Sequence, residues 1–366
     1  MKKKRYLCRA KNNELFNMSD SEQNIKKTSV MSMVMKVVVP LIITVGLCYV
    51  LFTGIDFKEM VAIIKRDCDF RWIGLAMLIS IFSHIFRAMR WRIQLDAIDC
   101  HAPLKHLIYS IFGTYAVNLV FPRLGEVWRT GYIAQRENRP FTTIFGSMVA
   151  DRLADTVTVA LLTLVTFLLA SSGIISFVQK YPDGYNKIMA LVTSPWLWIG
   201  LVAVIAFTVW FFTRKTDNKF VVKIKDTLKN LWTGFSAILT MKGKGRWLVL
   251  TIMIWGCYFT QLYVAFYAFP ITTSLLAEHG IIVALVCFTL SSIAMGIPSN
   301  GGIGPWQLAI IFGMTIYMPA GADAAAFNLN AAAFANLVLG SQTLLLIVLG
   351  IYTFAAIAIS KKSLKK

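Results

Sequence analysis

The sequence has 366 residues, of which 57% are hydrophobic and 15% are charged, and its formal net charge is +19. Soluble globular proteins carry about 25% charged residues, so this chain has too few polar side chains to cover a water-facing surface. Its basic residues concentrate beside apolar runs, as the positive-inside rule requires of cytoplasmic loops, and anionic lipid rather than nucleic acid is their expected partner. The composition predicts an all-α polytopic protein of the cytoplasmic membrane.

Six apolar runs are long enough to cross a bilayer, which takes about 20 residues in a helix. They are residues 37–53, 72–89, 143–170, 196–213, 247–269 and 331–359. Two other apolar stretches, residues 107–121 and 281–318, are short or are broken by proline and glycine. Broken backbone at membrane depth must be buried in protein or line a polar cavity. We therefore predict about six full spans and two re-entrant pairs of helices.

The ends of the chain and the first loops set the expected orientation. Residues 1–36 are basic and polar, and we expect them to be disordered in the cytoplasm. Residues 53–71 mix acids with bases and are expected to form an outer connection, whereas Arg87 and Arg90 mark the cytoplasmic end of the next run. The tail, residues 360–366, is basic again. Both termini are therefore predicted to lie in the cytoplasm.

A polar segment follows the first broken stretch, and its residue types suit an anion. It contains Asn118, Pro122, Arg123, Gly125, Glu126 and Arg129. Proline and glycine end one helix here and Glu126 begins the next, whose N-terminus would present free N–H groups and partial positive charge. Arg123 and Arg129 would add guanidinium groups that fit phosphate. The alternative is a cytoplasmic helix cap with a surface ion pair between Glu126 and Arg129.

Three charged residues, Asp151, Arg152 and Asp155, lie inside a run that is otherwise apolar. Charges within a span are costly and face a partner or a cavity. Arg152 and Asp155 can pair on one helix face, which leaves Asp151 to meet another helix, with Glu126 or Arg129 as its expected partner. A transport path and a structural ion pair between helices both remain open for these residues.

The longest polar stretch between spans, residues 214–246, is strongly basic. Its apolar residues recur at helical spacing with lysines between them, so we expect an amphipathic helix on the inner leaflet. No folded soluble domain is predicted, and residues 37–359 are expected to form a single transmembrane domain.

The second broken stretch contains a loop rich in glycine and proline. Its candidate residues are Pro298, Asn300, Gly301, Gly302, Gly304 and Gln307. Glycines permit positive φ angles and expose the backbone, and the two amide side chains can bond a polar head. Pro305 suits the first turn of the following helix, whose N-terminus would point into the membrane. A plain loop is the alternative, but the flanking stretches are each too short to span comfortably.

The loop charges divide the chain into two halves, residues 37–170 and 196–359. Each half holds three spans and one broken pair, and because three is odd, the halves would insert with opposite orientation. Broken segments at matching positions of two inverted halves point to a transporter's binding site. Ordinary kinked helices, giving about eight to ten spans, are the alternative.

Motifs of soluble enzymes are absent from the sequence. It contains no nucleotide-binding P-loop, no serine-hydrolase elbow and no zinc-protease motif. Its six cysteines and four histidines lack the spacing of metal ligands. We therefore predict no cofactor, no metal site and no catalytic residue.

Taken together, the polar clusters resemble a known family, the transmembrane region of lysylphosphatidylglycerol synthases of the multiple peptide resistance factor type and its stand-alone flippase-like relatives. The matching residues are Asn118, Pro122, Arg123, Gly125, Glu126 and Arg129, then Asp151, Arg152 and Asp155, then Pro298, Gly301, Gly302, Ile303 and Gly304. Two features depart from the family. Gln307 stands where the family often has a glutamate, and the soluble aminoacyl-transferase domain of full synthases is absent from this sequence. The resemblance therefore implies lipid handling and does not imply aminoacyl transfer.

The main functional hypothesis is a lipid flippase that passes an amphiphile's charged head between leaflets. Arg123, Arg129 and Arg152 would meet phosphate, while Glu126 and the two aspartates of the membrane run would balance charge or meet a cationic head. The sequence names no coupling ion and no oligomeric state. One alternative is the membrane part of a lipid-modifying transferase that acts with a separate soluble chain, and another is a non-transporting scaffold for envelope biosynthesis.

Overall fold

The computed structural model describes residues 57–121, 123–170 and 241–363, with a few isolated residues between 194 and 236. Helices supply all the regular secondary structure in these ranges, as the composition predicted. They are α1 (Phe57–Asp67), α2 (Phe70–Asp96), α3 (Leu104–Val120), α4 (Leu124–Arg136), α5 (Phe141–Leu169), α6 (Lys244–Ala265), a 3-10 turn (Phe266–Ala268), α7 (Pro270–His279), α8 (Ile281–Ala294), α9 (Pro305–Thr315) and α10 (Ala324–Ser363).

Four of the described helices are long and apolar enough to cross a membrane, namely α2, α5, α6 with its 3-10 turn, and α10. They coincide with four of the six spans that the sequence predicted. The chain is therefore an all-α, multi-pass membrane protein.

The other two predicted spans, residues 37–53 and 196–213, lie outside the described residues. So do residues 1–36, most of the basic segment 214–246 and the tail beyond residue 363. The total number of spans, the disordered N-terminus and the inner-leaflet helix stay predictions.

Two helices form where the sequence analysis expected only connections. Residues 57–67 form α1, whose apolar residues Met60 and Ile63 are buried because they lie three apart on one face. Helix α7 follows the 3-10 turn and meets α8 at an angle of 114°. Gly280, with φ of 64°, separates these two helices and permits the sharp bend.

The long helices define two ends of the bundle. Helices α2 and α6 run antiparallel, because the Asp69 N–H at the start of α2 donates to the Ala268 carbonyl after α6 at 2.9 Å. We call this the acidic end, which also carries Glu278. The opposite end, with Lys105 and Lys244, is the basic end.

The first hairpin, α3 and α4, begins and ends at the basic end, where Arg139 donates to the Asp99 carbonyl. Its helices pack very closely, since a Cβ on Gly125 would lie only 2.1 Å from the Thr114 carbonyl oxygen. Glycine is therefore required at this crossing. The break between the helices falls at residues 121–123, as predicted, although Pro122 itself lies outside the described residues.

The second hairpin, α8 and α9, enters from the acidic end. Ile282 near its start and Tyr317 after its end line one cavity of about 420 Å³ together with Ala170, which follows α5. Farther along the hairpin, Thr166 of α5 and Thr289 of α8 share a hydrogen bond of 2.7 Å between their hydroxyls. The two hairpins thus point toward each other from opposite ends of the bundle.

Two apolar cores hold this arrangement together. The core nearer the acidic end joins α1, α2 and helices α6 to α10, whereas the core nearer the basic end joins α2 to α5. The tips of the hairpins meet between these cores, where Asn300 donates to the Leu119 carbonyl at 3.4 Å. Opposed hairpins are what the inverted-repeat prediction requires, and the symmetry of the two halves stays a prediction.

Candidate functional site

Seven charged side chains from three helices lie together inside the bundle, and we call them the ionic cluster. They are Arg87 and Arg90 of α2, Glu126 and Arg129 of α4, and Asp151, Arg152 and Asp155 of α5. Asp151 lies ten residues after the start of α5, which is about 15 Å along the helix axis. The cluster therefore lies inside the helical bundle, away from both ends of α5.

The centre of the ionic cluster is a ladder between α2 and α5. Arg90 Nη2 lies 2.6 Å from Asp151 Oδ1 and 2.8 Å from Asp155 Oδ1. One turn away, Arg87 Nη1 lies 2.7 Å from Asp155 Oδ2. The pairs meet because residues three or four apart share one helix face. Removing one partner from such a buried pair leaves an uncompensated charge, which costs about 3–5 kcal/mol.

Helix α6 supports the arginine side of this ladder. The Tyr258 hydroxyl accepts hydrogen bonds from Nε and Nη2 of Arg87, at 3.3 and 3.2 Å. The guanidinium of Arg90 lies 5.6 Å from the ring centre of Trp247, a distance at which a cation is attracted to the face of an aromatic ring. Both arginines are thus fixed from two sides.

Arg129 is the exceptional member of the ionic cluster. It is 0% exposed, yet none of its guanidinium nitrogens forms a hydrogen bond within the described part of the chain. Its Nη2 is 3.6 Å from Asp151 Oδ2, and its guanidinium carbon lies 4.4 Å from the ring centre of Trp91. Buried N–H groups without acceptors are costly, so the Arg129 guanidinium is suited to receive an acceptor from a ligand.

The charges of the ionic cluster do not cancel. It contains four guanidinium groups and three carboxylates, which leaves one positive charge in excess. The Asp151 carboxylate is shared among three arginines, but within the described residues its oxygens, like the nitrogens of Arg129, meet no hydrogen-bond partner of suitable geometry. It therefore cannot satisfy the donors of Arg129. An additional anion would neutralise the cluster.

Glu126 and Arg152 form the more accessible edge of the ionic cluster. Their ion pair measures 3.0 Å, and their side chains are 19% and 34% exposed. The amide of Asn118 supports this pair, because its Nδ2 lies 3.3 Å from Glu126 Oε2 while its Oδ1 accepts from the Gly125 N–H at 2.8 Å. A ligand that reaches Arg129 would pass close to this edge.

The structure brings the first two predicted clusters together. Arg129 approaches Asp151 as the sequence analysis expected, and Arg152 lies 3.8 Å from Asp155. The alternative, a surface ion pair between Glu126 and Arg129, does not form, because Glu126 pairs with Arg152 and Arg129 is buried.

The expected anion site at the N-terminus of α4 is also altered, because Asn118 occupies the Gly125 N–H. Arg123 lies outside the ionic cluster and donates instead to the Gly296 carbonyl of the second hairpin.

The loop of the second hairpin is neutral and is bonded internally. Gly301, Gly302 and Gly304 all have positive φ angles, which glycine permits. Pro298 is exposed. Gln307 is buried. Its Oε1 accepts from the Gly304 N–H at 2.7 Å, and its Nε2 donates to Asn336 Oδ1 of α10 at 2.6 Å.

Sequence reasoning missed four residues of the site, namely Arg87, Arg90, Tyr258 and Asn336. Arg87 and Arg90 were predicted to mark the cytoplasmic end of a span, and in the structure both are buried, at 3% and 0% exposed. Helix α2 has 27 residues and is therefore about 40 Å long, so these arginines lie within the helix and face the other helices of the bundle. Their spacing of three could have pointed to acidic partners at a similar spacing on α5. Tyr258 and Asn336 gave no such signal.

The fold and the site define a class: a multi-pass α-helical membrane protein with two opposed broken hairpins beside a buried ionic cluster. Residues 37–350 match the family described as the lysylphosphatidylglycerol synthase TM region. The chain belongs to this family, as its polar clusters predicted.

Two relatives are similar to shorter parts of the chain. Glycosyltransferase AglD of Haloferax volcanii is 30% identical over 139 residues, which are 37% of this chain and 22% of the relative. UPF0104 membrane protein PH1989 of Pyrococcus horikoshii is 26% identical over 140 residues, which are 37% of this chain and 42% of the relative. The matches therefore span less than half of either relative.

Proposed function

We propose that this protein is a lipid translocator that moves a phospholipid or a related amphiphile between the leaflets of the cytoplasmic membrane. The observation that carries the proposal is Arg129, a buried guanidinium without a hydrogen-bond acceptor among the described residues. It belongs to a cluster with one excess positive charge at membrane depth. The family name, which refers to the membrane region of a lipid synthase, supports the same direction.

The ionic cluster is difficult to explain by stability alone. Replacing buried ion pairs with well-packed apolar residues is often neutral or stabilising. Charged residues inside membrane proteins generally mark a path for a substrate or an ion. A cluster that also carries an unbalanced charge is therefore better explained by a ligand than by helix association.

The proposed roles follow from position and charge. Arg129 and Arg152 bind the phosphate of the head group, because guanidinium groups form paired, charge-assisted hydrogen bonds with phosphate. Glu126, Asp151 and Asp155 hold these arginines in place and balance charge or meet a cationic part of the head.

Residues of the two hairpins complete the proposed path of the head group between the leaflets. They are Asn118, Pro122, Arg123, Gly125, Pro298, Asn300, Gly301, Gly302, Gly304 and Gln307. Broken helices at membrane depth allow a polar head to cross while the acyl chains stay in the bilayer. Lipids with a phosphate or another charged head are the proposed ligands.

The proposed orientation places the basic end and both termini in the cytoplasm. Lys105, Arg139 and Lys244 lie at the basic end, and basic residues favour the cytoplasmic side. The single transmembrane domain over residues 37–359, with an inner-leaflet segment at 214–246, is part of the same proposal. The first hairpin would then open toward the cytoplasm and the second toward the outside.

A second candidate function is the membrane part of a lipid-modifying transferase that acts with a separate soluble chain. The similarity to a relative named as a glycosyltransferase favours it. In that case the ionic cluster would hold the lipid acceptor while the partner chain supplied the chemistry. Co-purification of a soluble transferase would distinguish this function from translocation.

Leaflet exchange of labelled phospholipids in proteoliposomes tests the proposal. Wild type is compared with Arg129→Gln and with Arg92→Gln, a matched control because Arg92 lies on α2 and is exposed. We expect exchange by wild type and by Arg92→Gln, and a loss of at least about tenfold in Arg129→Gln, since one charge-assisted hydrogen bond contributes about 1.5–3 kcal/mol. Equal exchange by all three proteins would contradict the proposed role of Arg129. No exchange with any charged lipid would favour the transferase.

A further inference from the structure

A hydrogen bond from a charged guanidinium joins the tips of the two hairpins. Arg123 Nη2 donates to the Gly296 carbonyl at 2.5 Å, and Gly296 follows the last turn of α8. Carbonyls at a helix C-terminus carry partial negative charge and attract a cation. Arg123 therefore fastens the first hairpin to the end of a helix of the second.

Small residues complete this contact. A Cβ on Gly301 would lie 2.6 Å from the Leu119 side chain, so a larger residue at position 301 would have to displace that side chain. Gly301 also has a φ of 62°, which favours glycine for a second reason. The tips thus close tightly at the point where the hairpins meet.

The backbone of Arg123 is held in an unfavourable conformation. Its φ is 60° and its ψ is 1°, in the left-handed region that is unfavourable for a residue other than glycine. Such conformations persist where the surrounding structure enforces them, and they cluster at ligand clamps and switches. Separation of the tips would allow Arg123 to relax, which reduces the free energy needed to part them.

The acceptor of Arg123 is neutral and the side chain is exposed. A phosphate can bind a guanidinium through two parallel charge-assisted hydrogen bonds, with both partners ionised, whereas the Gly296 carbonyl accepts a single bond from Arg123. A phosphate that reaches the tips can therefore compete with the Gly296 carbonyl for Arg123. A neutral head cannot compete in this way, since it offers no charge.

We propose that Arg123 is a specificity-determining latch, released when the anionic head of an amphiphile takes its guanidinium from the Gly296 carbonyl. Release of the latch parts the two hairpin tips, so that only a charged head opens the path. The identity of the ligand rests on the proposed function, whereas the movement of the tips can be measured without transport.

Pulsed electron paramagnetic resonance measures the separation directly. Spin labels are attached to Val127→Cys on α4 and Ile293→Cys on α8, two exposed positions, in a chain whose six native cysteines are replaced by alanine. The protein in dodecyl maltoside micelles receives dioctanoyl phosphatidic acid, dioctanoylglycerol or inorganic phosphate. We expect the label distance to increase by several ångströms with phosphatidic acid and to stay unchanged with dioctanoylglycerol.

Two variants connect the response to the residue. Arg123→Gln should show the separated or a broadened distance without ligand and no further response, whereas Arg123→Lys should keep a response to phosphatidic acid. An unchanged distance in the labelled Arg123 protein with phosphatidic acid would overturn the latch, and so would an equal increase with dioctanoylglycerol. A response to inorganic phosphate alone would support the latch and assign recognition to the phosphate group itself.

The latch and the proposed function fail in different ways. If phosphatidic acid parts the tips but the protein exchanges no lipid, the latch is supported and the proposed translocation is wrong. If the protein exchanges lipid but the labels never separate, translocation is supported and the latch is wrong. Thermal unfolding of each variant shows whether it is folded, so that a misfolded protein is not taken for an open one.

Discussion

The two hairpins are held by similar hydrogen bonds to their backbones but differ in the charge of the residues that these bonds position. Each is pinned by one amide side chain, which accepts a hydrogen bond from a backbone N–H and approaches a second side chain. Asn118 connects Gly125 to Glu126 in the first hairpin, and Gln307 connects Gly304 to Asn336 in the second. The first amide therefore holds a charged residue of the ionic cluster, whereas the second holds a neutral one.

This difference assigns separate tasks to the hairpins. The charged first hairpin would recognise the head group, and the neutral second hairpin would supply shape and an acceptor for the latch. A glutamate at position 307, which the family often has, would bring charge to the second hairpin as well. Among the described residues, the buried charges lie on the side of the first hairpin, and each variant below tests that asymmetry.

The largest effect is expected for Asp151→Asn. The substitution removes a charge that faces Arg87, Arg90 and Arg129, and an uncompensated buried charge costs about 3–5 kcal/mol. Thermal unfolding in detergent, followed by tryptophan fluorescence, should show a strongly lowered Tm. Asp96→Asn on the exposed end of α2 is the control. An unchanged Tm for Asp151→Asn would mean that the cluster is not held by ion pairs.

The next effect is expected for Gly125→Ala. Its Cβ would lie 2.1 Å from the Thr114 carbonyl, so α3 and α4 must move apart, and overpacking of this kind costs about 1–3 kcal/mol. Gly131→Ala is the matched control on the same helix, because no atom lies within 4 Å of its Cβ position. We expect a lower Tm for the first variant and an equal or higher one for the control. Equal Tm values would contradict the close crossing of the first hairpin.

A smaller effect is expected for Gln307→Glu. Its carboxylate could accept from the Gly304 N–H but could no longer donate to Asn336, and a buried group left without its partner costs about 1–3 kcal/mol. Gln135→Glu, at an exposed position of α4, serves as the control in the same unfolding measurement. A Gln307→Glu protein as stable as wild type would show that the second hairpin accepts charge, and the proposed division between the hairpins would then be wrong.

Much of the fold could be predicted from the sequence because membrane spans depend on simple runs of apolar residues. The two broken stretches were also visible, since clusters of proline and glycine favour a break between helices. Helix α7 could not be predicted in the same way, because a single glycine such as Gly280 does not by itself identify a bend of 114°.

The site was predicted in part. Charged residues in an apolar run are conspicuous, which identified Asp151 and Arg152. Arg87 and Arg90, which pair with Asp151 and Asp155, were assigned only to the cytoplasmic end of a run, because the run was judged to end where its charges begin. The prediction assumed spans of about 20 residues, whereas α2 has 27 residues. The charged residues at the end of the predicted span therefore still belong to the helix and are buried in the protein. The partner of Arg123 could not be predicted, since Gly296 offers only its backbone carbonyl.

The affinity of the protein for an anionic lipid shows directly whether Arg129 receives the head group. Isothermal titration of dioctanoyl phosphatidic acid and dioctanoylglycerol is performed on wild type, Arg129→Gln and the Arg92→Gln control. We expect wild type and the control to bind phosphatidic acid in preference to dioctanoylglycerol. Arg129→Gln should bind phosphatidic acid at least about tenfold more weakly, a difference of 1.4 kcal/mol. Its Tm should not fall, because the variant removes the unbalanced charge of the cluster. If Arg129→Gln and wild type bound phosphatidic acid with equal affinity, Arg129 would not be the group that receives the anionic head.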